Sequence, residues 1–306
     1  MKNPWKGIAS YGEIDANCFK GRDKEIEKFV SIINDATMSV LYANSGIGKS
    51  SFINAGVLPS LKEGYLGRVF KISILFDDIF FKNDVDTVER WLLKKIQNIE
   101  NESLKWKYVL KGEDYLCGDS IWWYLHTHEL VDSAGESFLP IILFDQFEEV
   151  FEKSNDELLF RLFKIIDELS GKSLPPEVEK ELSKDSSDIY ASVNYDHRYK
   201  IVFSLRKEYL ADFDYWTNER FSTPELLQNR MLLLPFGKEQ AEEVITTQPY
   251  WDEKKGGYLK WNYVQTLDDI KDDIIEKIVS NTNPGTEVKN EVEPILLKHL
   301  KYTLPK

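Results

Sequence analysis

The segment that most constrains the fold is Ala-Asn-Ser-Gly-Ile-Gly-Lys-Ser at positions 43–50. It follows an apolar, strand-like run over 38–42 and precedes an amphipathic, helix-like run over 51–61. A strand, a glycine-containing loop and a helix in this order are typical of a phosphate-binding P-loop. Because such a loop turns its backbone N–H groups toward a phosphate, residues without bulk are favoured at Gly46 and Gly48. The segment predicts an α/β nucleotide-binding fold, and the alternative is a glycine-rich structural turn.

Each part of this loop has a predicted role. Lys49 is expected to place its charge on the β- and γ-phosphate oxygens, and the Ser50 hydroxyl is expected to bind Mg²⁺. The N-terminus of the following helix faces the same anion. Ala43 stands where the usual pattern has glycine, so we expect backbone strain there rather than loss of binding. The residues predicted to bind the nucleotide here are Ala43, Asn44, Ser45, Gly46, Ile47, Gly48, Lys49, Ser50 and Ser51.

A second apolar run predicts the carboxylate that a nucleotide-bound Mg²⁺ requires. Five of the six residues from Leu139 to Phe144 are strongly apolar, as in a strand buried on both faces. Asp145 follows this strand at the carboxyl edge, where open α/β sheets bind their ligands. We therefore expect Asp145 to hold Mg²⁺ together with Ser50. The alternative is that Asp145 caps the following helix, and both roles can coexist.

The sequence does not single out one residue as the general base. In many ATPases a glutamate directly follows this aspartate, but Gln146 occupies that position here. The nearest carboxylates, Glu148 and Glu149, come one helical turn later, and either is a candidate base. The helix dipole also favours acidic residues in a first turn without any catalytic role. Both interpretations stay open for each residue.

A third apolar run, over 199–205, ends in a charged residue at the strand edge, Arg206. A guanidinium in that position can read a terminal phosphate through two hydrogen bonds. The alternative is a structural ion pair with Glu149 or Glu208. Arg230, which precedes the last predicted strand, is the next candidate for the same role.

The order and spacing of these segments resemble the novel STAND NTPase family. These are signal-transducing ATPases related to the AAA+ class, frequent in bacteria and present in antiviral defence systems. The resemblance covers roughly residues 3 to 250. It is carried by NPWKGIASY from Asn3, GRDKE from Gly21, SGIGKSSFINAGVLPSL from Ser45, LFDQFEEVF from Leu143 and FSLRKEYL from Phe203.

The resemblance implies a ligand and a mode of action. In that family the segment corresponding to Gly21, Arg22 and Glu25 packs near the adenine, which implies ATP rather than GTP. The implied protein is a switch in which ATP and Mg²⁺ bind between the sheet and a helical lid. Hydrolysis or exchange to ADP then changes how the domains pack, and the ATP-bound form is expected to self-associate.

The predicted architecture has three parts. Residues 1–37 form an N-terminal segment, 38–236 a P-loop α/β core with a parallel sheet, and 237–306 the start of a helical lid. By analogy to the family, the strand order is 5-1-4-3-2. From Gly237 onward we expect helices only, over 238–247, 266–280 and 288–301. We also expect a sensor or effector region in a longer protein, so that this chain is a piece of it or a natural truncation. The five predicted strands lie near Met231, Met38, Tyr199, Leu139 and Val69.

Composition limits the partners. The net charge is −13, from 39 basic and 52 acidic side chains. Such a surface disfavours general nucleic-acid binding and anionic membranes. The two cysteines are too few for a disulfide framework, and no apolar run is long enough to span a bilayer. We expect a soluble, cytoplasmic protein.

Two other functions compete with the ATP-dependent switch. A P-loop phosphotransferase acting on a small molecule would need a second substrate pocket, for which the sequence offers no clear candidate. A module that binds nucleotide without hydrolysing it is the other alternative, because Gln146 replaces the usual glutamate.

Overall fold

The structure is a computed structural model, and it divides the chain into two compact units. The first unit comprises Met1–Val30, Ala43–Gly64 and Leu232–Lys306, and the second comprises Ser31–Tyr42 and Tyr65–Met231. The residues that the structure describes are 9–82, 88–109, 120–184, 198–221, 223–247, 250–252 and 257–259.

The second unit is built on a sheet of seven strands, with the order β3-β4-β5-β6-β1-β7 and with β2 paired to β5. β2 and β6 are both parallel to β5, with Val69 opposite Leu139 and Lys200 opposite Ile141. β4 runs antiparallel to β3 and to the start of β5. The mixed, mostly parallel sheet confirms the predicted fold class. The strands are β1 (Met38–Ala43), β2 (Val69–Ile74), β3 (Leu104–Tyr108), β4 (His128–Asp132), β5 (Ser137–Phe144), β6 (Lys200–Arg206) and β7 (Arg230–Leu232).

The exact strand order differs from the predicted one. The five predicted strands correspond to β7, β1, β6, β5 and β2, but the prediction omitted the antiparallel strands β3 and β4. The run Leu104–Tyr108 alternates half-buried and exposed residues, which is the pattern of a strand with one solvated face. A search for long apolar runs, which detected the buried strands, does not detect such a strand.

Helices of the second unit pack around one aromatic cluster. Phe147 is fully buried at its centre, and its ring centroid lies 5.2 to 5.9 Å from those of six other phenylalanines. The six are Phe76, Phe144, Phe151, Phe163, Phe203 and Phe213. The helices of this unit are α4 (Asp78–Lys82), α5 (Val88–Gln97), α6 (Ile121–Thr127), α7 (Glu148–Lys153), α8 (Asp156–Leu169), α9 (Pro176–Lys184), α10 (Leu210–Asp214) and α11 (Glu225–Gln228).

In the first unit the helix after the P-loop is not α-helical throughout. It consists of α2 (Lys49–Ser51), a π-helical turn (Phe52–Val57) and α3 (Leu58–Gly64). It packs on the start of α1 (Asp23–Asp35), at a position where glycine is required. A Cβ on Gly56 would lie 2.7 Å from Cδ1 of Ile26, closer than real Cβ contacts come.

The C-terminal part departs from the helix-only prediction. The predicted helix over 238–247 is present as α12 (Lys238–Thr247), but β8 (Tyr250–Asp252) and β9 (Gly257–Leu259) then form an antiparallel pair. The reason is local, because aromatic residues favour strands and this pair contains Tyr250, Trp251 and Tyr258. The helices predicted over 266–280 and 288–301 lie outside the described residues. In the described part of the chain, no helix combines the length and apolar character that crossing a membrane requires.

Candidate nucleotide-binding site

The loop after β1 has the backbone conformation of a phosphate-binding loop. Gly46 and Gly48 have φ angles of +82° and +95°, in the left-handed region that favours glycine. No atom lies within 4 Å of the place where a Cβ would sit on either residue. Glycine is therefore favoured at these two positions by the backbone conformation and not by steric crowding. Lys49 follows directly as the first residue of α2, so the loop ends at a helix N-terminus.

Lys49 folds back over the loop. Its Nζ donates to the carbonyl oxygen of Ala43 at 3.4 Å. Ala43 is fully buried and ends β1 in strand conformation, and the described residues other than glycine with positive φ are Leu66 and Gln146. The strain expected at Ala43 is therefore absent, because a strand accommodates an alanine Cβ. Ile47 is buried and anchors the tip of the loop.

The two serines after Lys49 have different environments. Ser51 is buried, and its Oγ accepts a hydrogen bond from the main-chain nitrogen of Tyr11 at 3.0 Å. Its hydroxyl thus binds the N-terminal segment. Ser50 is half-buried, and the loop residues Asn44 and Ser45 are exposed.

In the second unit the chain turns sharply after β5. Oδ1 of Asp145 accepts from the main-chain nitrogen of Gln146 at 3.0 Å, and Gln146 has a φ of +54°. The nitrogen of Phe147 donates to the carbonyl of Ser204 on β6 at 2.9 Å. Phe147 is the residue that precedes α7, and this helix has no side-chain cap. The residue at the N-cap position is thus Phe147 and not Asp145, and the carboxylate of Asp145 follows a strand whose last five residues are buried.

Glu148 is paired with Arg206, the residue at the end of β6. Its carboxylate is almost completely buried, and its Oε1 lies 3.0 Å from Nε of Arg206. Its Oε2 accepts from the main-chain nitrogen of the same arginine at 3.2 Å. The side chain of Arg206 is nearly half exposed, and its Nη1 lies 4.0 Å from Oε1 of Glu152. Both oxygens of Glu148 thus have partners that hold β6 and α7 together.

Glu149, the other candidate base, has a looser partner. Its Oε2 accepts from Nζ of Lys153 at 2.8 Å, one helical turn later, and this hydrogen bond raises the pKa of Lys153. Exposed pairs of this spacing contribute little to stability. The carboxylate of Glu149 can therefore change partners at small cost, whereas that of Glu148 cannot.

The remaining predicted arginines are also paired. Arg22 is buried, its Nη1 lies 3.0 Å from Oε1 of Glu25, and burial lowers its pKa. Arg230 donates from Nη1 to both carboxylate oxygens of Asp214, at 3.0 and 3.1 Å. Sequence reasoning missed the partner of the Gly21–Glu25 turn, which is Gln240. No local pattern marks Gln240, because the contact joins residues more than 200 positions apart.

The solved structures that match this protein share little of its sequence. The Aeropyrum pernix ORC2 protein in its ADPNP-ADP complexes is 10% identical, with a TM-score of 0.47 over 98% of this chain and 71% of that one. The Walker-type ATPase of Pyrococcus abyssi is 15% identical, with a TM-score of 0.42 over 79% of this chain. The chain spans 61% of that ATPase, less than two thirds of its length.

The sequence profile of Novel STAND NTPase 1 matches residues 4–254, which is most of the chain. No curated protein matches the chain. The matched range includes the P-loop, the turn at Asp145 and the end of β6 at Arg206. The chain therefore belongs to the novel STAND NTPase 1 family and is a nucleotide-binding module of the P-loop NTPase type.

Proposed function

We propose that this chain is an ATP-binding and slowly ATP-hydrolysing switch, which couples Mg·ATP binding to a rearrangement of its helical lid. The observation that carries the proposal is the P-loop itself. Two left-handed glycines turn the backbone, and Lys49 begins the helix that follows. A glycine-rich structural turn has no need for a lysine at the helix start, where the dipole disfavours a positive charge.

The binding roles follow from the chemistry of each side chain. Lys49 neutralises the phosphate oxygens, and in doing so exchanges its present acceptor, the Ala43 carbonyl, for a charged one. The loop from Asn44 to Gly48 offers main-chain N–H groups to the phosphates. Arg22 and its neighbours stay the proposed adenine-side segment by analogy to the family. These roles support ATP as the ligand.

Mg²⁺ fits the donor chemistry that the chain offers. The hydroxyl of Ser50 and the carboxylate of Asp145 are hard oxygen ligands of the kind that Mg²⁺ prefers. When bound, the ion neutralises charge that develops on the phosphates. Asp145 is suited to this role because it is half-buried and directly follows the buried end of β5.

We propose Glu149 as the general base that accepts the proton of the attacking water. Glu148 is the weaker candidate because Arg206 occupies both of its oxygens. Gln146, which takes the usual position of the glutamate, cannot accept a proton at neutral pH. A base displaced by one helical turn is expected to be inefficient, which supports slow hydrolysis and a switch rather than a motor.

The switch requires contacts that differ between ATP and ADP. Moving a two-state equilibrium from 1:99 to 99:1 takes about 5.5 kcal/mol, whereas one charge-assisted hydrogen bond contributes roughly 1.5 to 3 kcal/mol. One such contact is therefore insufficient, and Lys49 and Arg206 together reach this value only when each contributes close to 3 kcal/mol, about the upper limit of that range. Self-association of the ATP form, and a signalling role that includes bacterial antiviral defence, belong to the same proposal and draw on the family.

The test is to measure Mg·ATP and ADP binding by calorimetry and ATP cleavage in a single turnover. Binding of both nucleotides with slow release of phosphate to water supports the switch. Cleavage that depends on an added small-molecule acceptor supports the phosphotransferase instead. Binding without cleavage supports the non-hydrolysing module, and absence of binding overturns the nucleotide site altogether.

A further inference from the structure

One side chain fastens the start of α12 to the N-terminal segment of the first unit. Oε1 of Gln240 accepts from the nitrogen of Gly237 at 3.0 Å, which caps the first turn of the helix. Its Nε2 donates to the carbonyl of Gly21 at 3.0 Å and to Oε1 of Glu25 at 2.7 Å. We call these three hydrogen bonds the Gln240 bridge. They use both polar atoms of the amide, and the two bonds from Nε2 join residues more than 200 positions apart.

A buried arginine lies beside this bridge. The guanidinium carbon of Arg22 lies 4.0 Å from the ring centroid of Phe236, and its Nη1 pairs with Glu25. Its Nη2 is buried and has no hydrogen-bond partner among the described residues. A buried donor without an acceptor weakens the closed contact. The contact of Arg22 with Phe236 and Glu25 therefore has a defined geometry, but the unpaired Nη2 lowers its stability.

The approach of the two segments is close enough to exclude a side chain at Gly21. A Cβ there would lie 2.6 Å from Cγ2 of Val244 and 3.0 Å from the carbonyl oxygen of Gln240. Gly21 also has a φ of +78°, which L side chains rarely adopt. The turn before α1 and the first two turns of α12 are therefore in direct contact.

The same N-terminal helix also packs on the helix that follows the P-loop. The rings of Phe29 and Phe52 have their centroids 6.1 Å apart, and Ile26 fills the space above Gly56. A continuous series of packed residues thus leads from the helix that starts at Lys49, through α1, to the Gln240 bridge. Helix α1 thus contacts both the helix after the P-loop and the segment that the Gln240 bridge holds.

We propose that Gln240 is a positioning residue, whose bridge holds α12 on the Gly21–Glu25 turn and thereby slows the release of ADP. The inference rests on the proposed function, because it names the contact that must open before the lid moves. Loss of the bridge frees α12 without touching the residues assigned to phosphate or metal binding.

The decisive variant is Gln240→Glu in the whole chain. It retains the acceptor for Gly237 but removes both donors and sets a second carboxylate beside Glu25. Gln240→Met is the second variant, because it keeps the side chain long and uncharged but removes the acceptor and both donors. Glu239→Gln, on the exposed neighbour in α12, is the matched control. Release of a fluorescent ADP analogue is expected to be about tenfold faster in Gln240→Glu, also faster in Gln240→Met and unchanged in the control.

A second measurement makes the bridge testable without nucleotide. Hydrogen exchange over 236–244 is expected to rise in Gln240→Glu and in Gln240→Met and to stay at the wild-type level in Glu239→Gln. ADP release that is unchanged in both Gln240 variants, or equally fast in the Glu239→Gln control, overturns the proposal. If the wild-type chain binds no ADP, the proposed function fails, and the bridge is then judged by hydrogen exchange alone.

Discussion

Arg206 and Glu148 hold each other through an ion pair between the guanidinium Nε and Oε1 at 3.0 Å and a hydrogen bond from the main-chain nitrogen of Arg206 to Oε2 at 3.2 Å. Glu148 is almost fully buried, whereas the arginine side chain is nearly half exposed. The buried carboxylate therefore holds the Nε side of the guanidinium, while part of the arginine side chain stays accessible. In this arrangement Glu148 positions the arginine, and the arginine occupies the carboxylate that had been a candidate base.

Replacing Arg206 by alanine tests whether its outer nitrogens read the γ-phosphate. We expect ADP affinity to stay nearly constant and ATP affinity to fall, so that the preference for ATP over ADP drops about ten- to a hundredfold. That range corresponds to roughly 1.5 to 3 kcal/mol for one charge-assisted hydrogen bond. Calorimetric titration with each nucleotide gives the two affinities.

Arg230→Ala is the matched control for this experiment, because Arg230 is bound at both oxygens of Asp214. It is expected to leave the preference unchanged. An equal loss for ATP and ADP in Arg206→Ala would instead make Arg206 a structural partner of Glu148. A loss of preference in Arg230→Ala would move the sensor to that residue.

Lys49→Ala should weaken Mg·ATP binding by at least a hundredfold while leaving the thermal unfolding temperature close to that of the wild type. The reason is that Lys49 is only half-buried beside an exposed loop, and its hydrogen bond to the Ala43 carbonyl is long, at 3.4 Å. Lys107→Ala removes an exposed lysine from β3 and serves as the control for net charge. Equal ATP affinity in the Lys49→Ala variant and the wild type would remove the P-loop assignment.

Substitutions of the two glutamates of α7 should affect different properties, stability for Glu148 and hydrolysis for Glu149. Glu148→Ala is expected to lower the free energy of unfolding by roughly 1.5 to 3 kcal/mol, because it deprives β6 of a buried charged partner. Glu149→Gln should change stability by less than about 1 kcal/mol and slow single-turnover hydrolysis with ATP binding retained. Urea unfolding and phosphate release measure the two effects. Wild-type hydrolysis in Glu149→Gln would exclude it as the base.

Asp145→Asn tests the proposed role of Asp145 as a ligand of Mg²⁺. An amide binds Mg²⁺ more weakly than a carboxylate, so the enhancement of ATP binding by Mg²⁺ should be lost. The variant retains a side-chain oxygen that can accept the hydrogen bond from the main-chain nitrogen of Gln146. Titrations of ATP with and without Mg²⁺ measure the enhancement, and an unchanged effect of Mg²⁺ would place the metal carboxylate elsewhere.

The parts of the structure that local sequence determines were predictable. Continuous apolar runs indicated the buried strands β1, β5 and β6, and the spacing of Gly46 and Gly48 indicated the loop. The half-exposed strands β3 and β4 were missed, since alternation over five residues is a weak signal. Ion pairs such as Arg206 with Glu148, and the Gln240 bridge, join distant positions. One sequence gives no information on such pairings, because many charged residues satisfy the same local pattern.

A buried acidic residue in the second unit makes stability depend on pH. Glu168 on α8 is buried, which together with the nearby carboxylate of Glu89 raises its pKa to about 7. Lys164 lies 3.8 Å from its Oε1 and acts in the opposite sense, as does Arg161, which is ion-paired with Glu89. The remaining neighbour is Glu177 at the start of α9, which adds to the upward shift.

The sign of the effect follows from the raised pKa. Below the ordinary pKa of a glutamate, Glu168 is protonated in the folded and the unfolded chain, and burial costs nothing electrostatic. As pH rises toward 7 the unfolded chain loses this proton first, so the stability linked to Glu168 falls and is lost once pH passes about 7. Glu168→Gln removes this dependence. Relative to wild type, the variant should gain stability between pH 5 and pH 8 by on the order of 2 kcal/mol. Urea unfolding at both pH values measures this difference, with the exposed Glu157→Gln on the same helix as control. A difference between variant and wild type that is the same at both pH values would mean that Glu168 ionises alike in the folded and the unfolded chain.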